Sequence, residues 1–251
     1  MDLSFLDGSI NPFNIFKILN YRNKFRKEHP LYFGQDGLLV FCGPQGSGKT
    51  LSAVQYTRQL LNFYPNAILV TNTEIKGLDP HIKVIEYDGI DCLTKIENGE
   101  EGVVYFIDEI HLEFNSLESK NVPIEVMVEV SQQRKQRKHI IGTSQVFMRM
   151  AKPLREQIKN VVLCKNFLGC IQYNKLIDGE TATEKDGKLV ADVKKHSFWF
   201  HTPELYSSYD TYKKMRRYRN EWNGVSRSNI YELKEGEQLQ WILIIKLLVI
   251  Y

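Results

Sequence analysis

The sequence is poor in the residues that mark several functional classes. It has four cysteines in 251 residues, Cys42, Cys92, Cys164 and Cys170. Their scattered spacing contains no C-x-x-C pair. That excludes a disulfide scaffold and a paired zinc site, and reads as reduced thiols of a cytosolic protein. The histidines His29, His81, His111, His139, His196 and His201 form no metal-ligand cluster, and no serine–histidine–acid set is apparent. Charge of one sign is also lacking: Lys+Arg 33 against Asp+Glu 30 gives +3, too little to mark a nucleic-acid binder by bulk charge. Met1–Ile10 carries acidic residues and no basic n-region, so no signal peptide is expected. No apolar run reaches the ~20 residues of a membrane-spanning helix. The most apolar stretch, Leu239–Tyr251, is LQWILIIKLLVIY and contains Lys246. It reads as a packed element, a truncated membrane anchor or an altered reading frame. Internal repeats and low-complexity tracts are absent.

What is present is ordinary globular material, 43% hydrophobic and 25% charged, enough to build a core. Short apolar runs suit buried strands: Leu38–Cys42, Ala67–Thr71, Ile82–Tyr87, Val103–Ile107, His139–Thr143 and Asn160–Cys164. Helical windows at Thr50–Phe63 and Ile124–Lys138 alternate with them. Strands apolar on both faces between helices predict an α/β three-layer domain on a mostly parallel sheet. After Phe167 the pattern changes to short strands at Leu168–Tyr173, Leu189–Val193 and Ser197–Phe200, joined by the polar loop Asp178–Lys188. The expected organisation is an N-terminal helical segment (1–35), an α/β core (36–165), a small β-rich C-terminal extension (166–205), then a basic segment and apolar tail (206–251). Asn14–Glu28 reads as a basic-faced helix packed on the domain surface, or as a membrane- or partner-binding helix.

Gly43–Thr50, GPQGSGKT, matches G-x-x-x-x-G-K-[ST] in full, with a strand before it and a helical pattern after it. Gly43, Gly46 and Gly48 allow a tight turn whose N–H groups face phosphates. Pro44, Gln45 and Ser47 complete the loop, and Leu51 lies in the first helical turn. That helix start adds a favourable dipole. Lys49 would reach the β- and γ-phosphates of ATP, and Thr50 would bind Mg²⁺. Some sixty residues on, Val103–Glu109 (VVYFIDE) is an apolar strand ending in two carboxylates. Asp108 is placed to hold Mg²⁺ through water, and Glu109 to act as general base for the attacking water. The extra glutamate favours hydrolysis over a small-molecule kinase. Asp108–His111 spells DEIH, but the chain after residue 160 is too short for a helicase's second motor domain. A third run, His139–Gln145 (HIIGTSQ), ends in polar residues. In P-loop ATPases with an additional strand between the two acidic and phosphate-loop strands, such a strand carries a polar sensor, and Gln145 fits that role. A polar strand cap is the alternative.

The order GPQGSGKT, VVYFIDE, QQRKQRKHIIGTSQ, KPLREQIKNVVL resembles the FtsK–HerA superfamily of P-loop NTPases. Within it, the chain is most similar to the zonula occludens toxin-like (Zot-like) ATPases of filamentous phages. The features that carry this are Arg134–Lys138, Gln145, Arg155 and the segment Ser207–Lys214 (SSYDTYKK), over roughly residues 36–215. The resemblance implies a RecA/ASCE-like fold and a ring, a hexamer being one such ring, that drives phage DNA export and virion assembly at the inner membrane of the host. Relatives continue into a transmembrane helix near where this chain reaches its apolar end.

Ring ATPases complete their sites with a neighbour's arginine. Arg134, Arg137, Arg149 and Arg155 are candidates, with Arg134 and Arg137 favoured because they lead into the sensor strand. Two basic clusters, Arg134–Lys138 and Lys213–Arg219, the second interleaved with Tyr212, Tyr218 and Trp222, suit DNA, a solvated face or a membrane flank. The function expected is an ATP-hydrolysing motor acting on DNA, with phage assembly or membrane proteins as further partners. The alternatives are a soluble packaging or conjugative translocase, and a nucleotide-switched interaction protein with slow turnover.

Overall fold

Strands whose consecutive residues are all apolar must be covered on both faces, and this decides the architecture. In the computed structural model, which describes residues 12–35, 37–116, 123–185 and 188–210, the elements run in the order α1 (Pro12–Glu28), β1 (Gly37–Cys42), α2 (Lys49–Phe63), β2 (Ile68–Thr71), β3 (Glu74–Ile75), β4 (Val84–Glu86), α3 (Cys92–Lys95), β5 (Val103–Ile107), α4 (Ile124–Ser131), α5 (Gln133–Gln136), β6 (Lys138–Ser144), α6 (Lys152–Arg155), β7 (Ile158–Phe167), β8 (Ile171–Asp178), β9 (Thr183–Lys185), β10 (Lys188–Val190), β11 (Val193–Phe200), α7 (Pro203–Tyr206) and β12 (Tyr209–Asp210). An eight-stranded sheet has the order β11-β8-β7-β1-β6-β5-β2-β4. Neighbours from β7 to β4 pair in parallel. β8 and β11 extend the same sheet antiparallel. β6 therefore stands between β1 and β5, the two strands that carry the phosphate loop and the acidic pair.

Alternate residues of these strands feed two cores. Leu38, Val40, Val103, Tyr105, Ile107 and Ile140 meet Leu93, Val126, Val130 and Leu154 from α3, α4 and α6. Leu39, Phe41, Val104, Phe106 and Ile141 meet Leu51, Val54, Leu60 and Leu61 of α2. The result is the three-layer α/β domain expected. Gly142 in β6 allows Ile110 to press close: a Cβ there would sit 2.8 Å from Ile110 Cγ2.

Four sequence expectations change. The helix window Ile124–Lys138 breaks at Gln132 into α4 and α5, and Arg137 turns the chain with φ 53° into β6. Lys138 is then a strand residue and leaves the basic cluster: it is 1% exposed. Its Nζ donates to Leu93 O and Glu129 Oε2, both at 2.8 Å. Ile15, Phe16, Ile18 and Leu19 of α1 remain exposed instead of packing on the domain. These residues share one broad face of the helix. The N-terminal segment is anchored instead by Phe33, 1% exposed, which donates its N–H to Glu100 O at 2.8 Å. In the β-rich extension β8 and β11 are longer than expected, while the expected strand Leu189–Val193 divides between β10 and β11. Leu168 and Gly169, both at positive φ, form the β7–β8 turn, so Leu168 lies outside the strand. β9 occupies part of the expected loop Asp178–Lys188.

Replacing Lys138 by Met is expected to lower the unfolding free energy by about 3 kcal/mol, because the half-buried Glu129 and the Leu93 carbonyl lose the partner that the buried ammonium provides. Adding Glu129→Leu should recover part of that loss. Urea unfolding of both variants checks this; an unchanged midpoint for Lys138→Met would show that the pair contributes nothing.

Among the described residues, no helix is long and apolar enough to cross a membrane. The basic cluster Lys213–Arg219 and the apolar stretch Leu239–Tyr251 lie outside the described residues.

Candidate nucleotide site

The carboxyl ends of β1, β2, β5 and β6 open on one edge of the sheet, where α/β folds place ligands. From β1 the chain enters the Gly43–Thr50 loop. Gly46 and Gly48 both adopt φ 78°, a conformation that a side chain would strain. Gly48 also caps α2 with no side-chain hydrogen bond, which leaves the first-turn N–H groups for an anion. The Ser47 hydroxyl is buried and makes no hydrogen bond in the protein. Gly43 N–H donates to Ser144 O at 3.3 Å, tying the loop to the end of β6. Burial raises the thiol of Cys42 at the loop's entrance, and that of Cys164 beside it to about 12. Neither is a nucleophile at neutral pH.

Asp108 and Glu109 follow β5 as expected. Asp108 is 6% exposed. Its Oδ1 accepts from Thr50 Oγ1 at 3.0 Å and from Thr143 Oγ1 at 2.6 Å. Thr143 Oγ1 in turn accepts the Glu109 N–H at 2.8 Å. Glu109 has φ 55°, a strained setting for a non-glycine residue. Its Oε1 is 3.3 Å from Lys49 Nζ and its Oε2 is 3.3 Å from His111 Nδ1. Oε2 is buried and, apart from this His111 contact, accepts no hydrogen bond from the described residues, which leaves it capacity for a water proton.

Thr50 Oγ1 and Asp108 Oδ1 are hard oxygen donors side by side, which suits Mg²⁺. Among the described residues, no group of three His, Cys, Asp or Glu could hold an ion alone. A two-donor set of this kind fits an ion that takes its remaining oxygens from phosphates and water.

The remaining candidates are dispersed. Pro44, Gln45 and Leu51 lie in the loop and in α2, and Leu51 is buried beneath it. Gln145 stands one residue past β6, exposed on the same sheet edge. Arg149 and Arg155 follow it on the short turn Phe147–Arg149 and on α6. Arg155 Nη1 contacts Met148 Sδ at 2.6 Å. Arg134 and Arg137 precede β6, so a strand of seven residues, about 20 Å, separates them from the loop of their own chain. Arg137 is committed there, with its guanidinium 4.4 Å from the Tyr32 ring centroid. Tyr209 of the SSYDTYKK segment pairs through β12 with β3. Burial, then the Asp108 charge, raises its phenol above the ordinary range.

Sequence reasoning missed several residues that hold this geometry. Asn72, after β2, clamps the Asp108 backbone: its Nδ2 donates to Asp108 O at 3.0 Å and its Oδ1 accepts Asp108 N–H at 2.9 Å. Thr143 was visible only as a strand-end hydroxyl. His111, seen in DEIH and left without a role, is 8% exposed and contacts both Glu109 and Ser144. Gln172 of β8, fully buried, gave no signal at all. Its Nε2 donates to Ser47 O and to Asn174 Oδ1, each at 3.0 Å, and its Oε1 is 3.1 Å from His201 Nε2. The carbonyl and N–H of a trans peptide point in opposite directions. Holding Ser47 C=O from behind therefore aims Gly48 N–H into the loop. Gln172→Ala is expected to raise KM for ATP about fivefold with kcat little changed, since one net hydrogen bond of about 1 kcal/mol is lost from a binding element. Steady-state kinetics checks this; a fall in kcat at constant KM would place Gln172 in the chemical step instead.

Comparison with known proteins agrees with the fold class. A family model described as "ATPase family associated with various cellular activities (AAA)" matches residues 39–165, from β1 to β7. The fold is similar to that of the N-terminal domain of zonular occludens toxin from Neisseria meningitidis, at 17% identity and TM-score 0.50, covering 70% of this chain and 100% of that one. It is also similar to the genome packaging NTPase B204 from Sulfolobus turreted icosahedral virus 2 in complex with ATP-gammaS, at 13% identity and TM-score 0.45, covering 67% and 98%. Comparison with curated protein sequences finds no match.

Proposed function

The chain belongs to the ATPase family associated with various cellular activities (AAA), and from that premise we propose that it is a ring-forming motor of the Zot-like, FtsK–HerA type that moves phage DNA during virion assembly. The observation that carries the hydrolytic part is the convergence of Lys49, Thr50, Asp108 and Glu109 at the carboxyl edge of the sheet. Its motor role is supported by the sensor-strand order, by the fold shared with the toxin domain and by the sequence resemblance.

In this reading ATP enters the loop and its phosphates take Lys49 from Glu109. Glu109, released from that ion pair, accepts the proton of the attacking water. Gln145, at the exposed end of β6, contacts the γ-phosphate and the water. Mg²⁺, held by Thr50 and Asp108, would supply charge neutralisation at the β- and γ-oxygens. Arg134, Arg149 and Arg155 are the candidates for the arginine that a neighbouring subunit contributes. The chain would act in the cytoplasm, at the inner face of the host membrane.

A second reading is a nucleotide-switched interaction protein with slow turnover. The contacts of Glu109 with Lys49 and His111 favour it, because they hold the base back until nucleotide binds. ATP hydrolysis with and without single- and double-stranded DNA separates the two, with Lys49→Ala as control. Stimulation by DNA that Lys49→Ala abolishes supports the motor; slow hydrolysis indifferent to DNA supports the switch.

A further inference from the structure

The antiparallel extension carries a surface that the ATPase site does not use. One face of β7, β8 and β11 packs toward α2 through Val162, Cys164, Leu176 and Trp199. The other face begins in the core at Leu163 and then opens to solvent. Register places its residues in rows: Leu163, Lys175 and His196, then Lys165, Tyr173 and Phe198. A solvated sheet face ordinarily turns polar. This one is aromatic. The Tyr173 ring lies 4.7 Å from Phe198, 5.9 Å from His196 and 6.5 Å from Phe167. Its hydroxyl is 2.7 Å from His196 Nδ1, which fixes the ring. Phe198 is 69% and Phe167 40% exposed. Lys165 Nζ sits 4.8 Å from the Phe167 centroid, and no carboxylate stands in these rows.

We propose that this face is a stacking platform for single-stranded nucleic acid, with bases on Phe198, Tyr173 and Phe167 and phosphates on Lys165 and Lys175. This names the substrate form for the motor reading above and rests on it. Aromatic rings across three strands span about 10 Å, room for two or three unstacked bases. Cations in these rows, with no carboxylate among their residues, match a polyanion. A duplex keeps its base faces inside its own stack and has none to offer the rings.

The test is fluorescence anisotropy of a labelled oligothymidylate and of a labelled duplex, using the full chain. Phe198→Ala is expected to weaken oligothymidylate binding about tenfold or more, the loss typical of one stacked base. Phe198→Tyr should restore binding, and duplex affinity should be the same in all three proteins. Lys165→Ala with Lys175→Ala should reduce the slope of log K against log salt by about 1.4, from about 0.7 per phosphate contact. Basal ATP hydrolysis without DNA should be unchanged in Phe198→Ala.

Equal oligothymidylate affinity for wild type and Phe198→Ala overturns the platform. So does equal weakening on single and double strands. A changed sedimentation coefficient with unchanged oligonucleotide affinity assigns the face to a subunit contact instead. The motor reading fails separately, if wild-type hydrolysis is indifferent to nucleic acid while Phe198→Ala still loses the oligonucleotide.

Discussion

Glu109→Gln is expected to cut ATP hydrolysis by about 10²–10⁴-fold, the range for loss of a general base, while nucleotide affinity stays within about threefold. The geometry sets this asymmetry. Glu109 does not shape the phosphate loop; it faces the loop from the end of β5. Its backbone is fixed by the Thr143 hydroxyl at 2.8 Å, a bond that glutamine keeps. Only the carboxylate changes, and with it the capacity of the buried Oε2 to take a proton. The neutral amide also loosens its hold on Lys49, now 3.3 Å from Oε1, which makes that lysine easier for phosphates to recruit. Single-turnover hydrolysis and the affinity for a fluorescent ATP analogue separate the two effects. Normal turnover in Glu109→Gln would remove Glu109 from the role of base.

Lys49→Ala is expected to weaken ATP binding and to lower hydrolysis by at least about 10²-fold, comparable to loss of a preorganised charge-stabilising donor. Lys49 is 8% exposed, and its ammonium is the cation that faces Glu109. Without it, the γ-phosphate would meet the Glu109 carboxylate with no ammonium between them. Removing that carboxylate should therefore return part of the lost binding. Lys49→Ala with Glu109→Gln is expected to bind nucleotide more tightly than Lys49→Ala alone, though neither hydrolyses it well. Calorimetric titration with ATP checks this ordering; equal affinities would mean that the two side chains do not couple.

The comparison of sequence with structure separates along a physical line. The phosphate loop was legible because its chemistry is local. Glycines at fixed spacing, a lysine and a threonine must be contiguous for one turn to cradle a phosphate. The acidic pair was legible because a run of apolar strand residues announces where the strand ends. The parallel strands were legible because burial on both faces leaves nothing polar in them. The strands of the extension were misjudged in length because one face of that hairpin is solvated, so polar residues such as Lys165 and Lys175 interrupt the apolar run.

Arg134–Lys138 shows the opposite limit. Four neighbouring charges read as one patch, yet the turn at Arg137 assigns them to different environments. Lys138 enters a strand and is buried against Glu129 and Leu93 O, while Arg137 stacks on Tyr32. Local sequence cannot carry that information, because the partners lie far away in the chain. Gln172 was invisible for the same reason: it meets Ser47 across 125 residues.

By itself, then, the sequence determined the layered α/β class and where the Gly43–Thr50 loop and the acidic pair Asp108–Glu109 fall on its strands, since each follows from contiguous residues and their periodicity. Tertiary structure decided which distant groups complete that loop: Asn72 on the Asp108 backbone, Thr143 between Asp108 and Glu109, Gln172 behind Ser47. It also decided which of the basic and aromatic residues face solvent. These are consequences of strand order and register, and a register is fixed only when the whole sheet has buried its apolar faces.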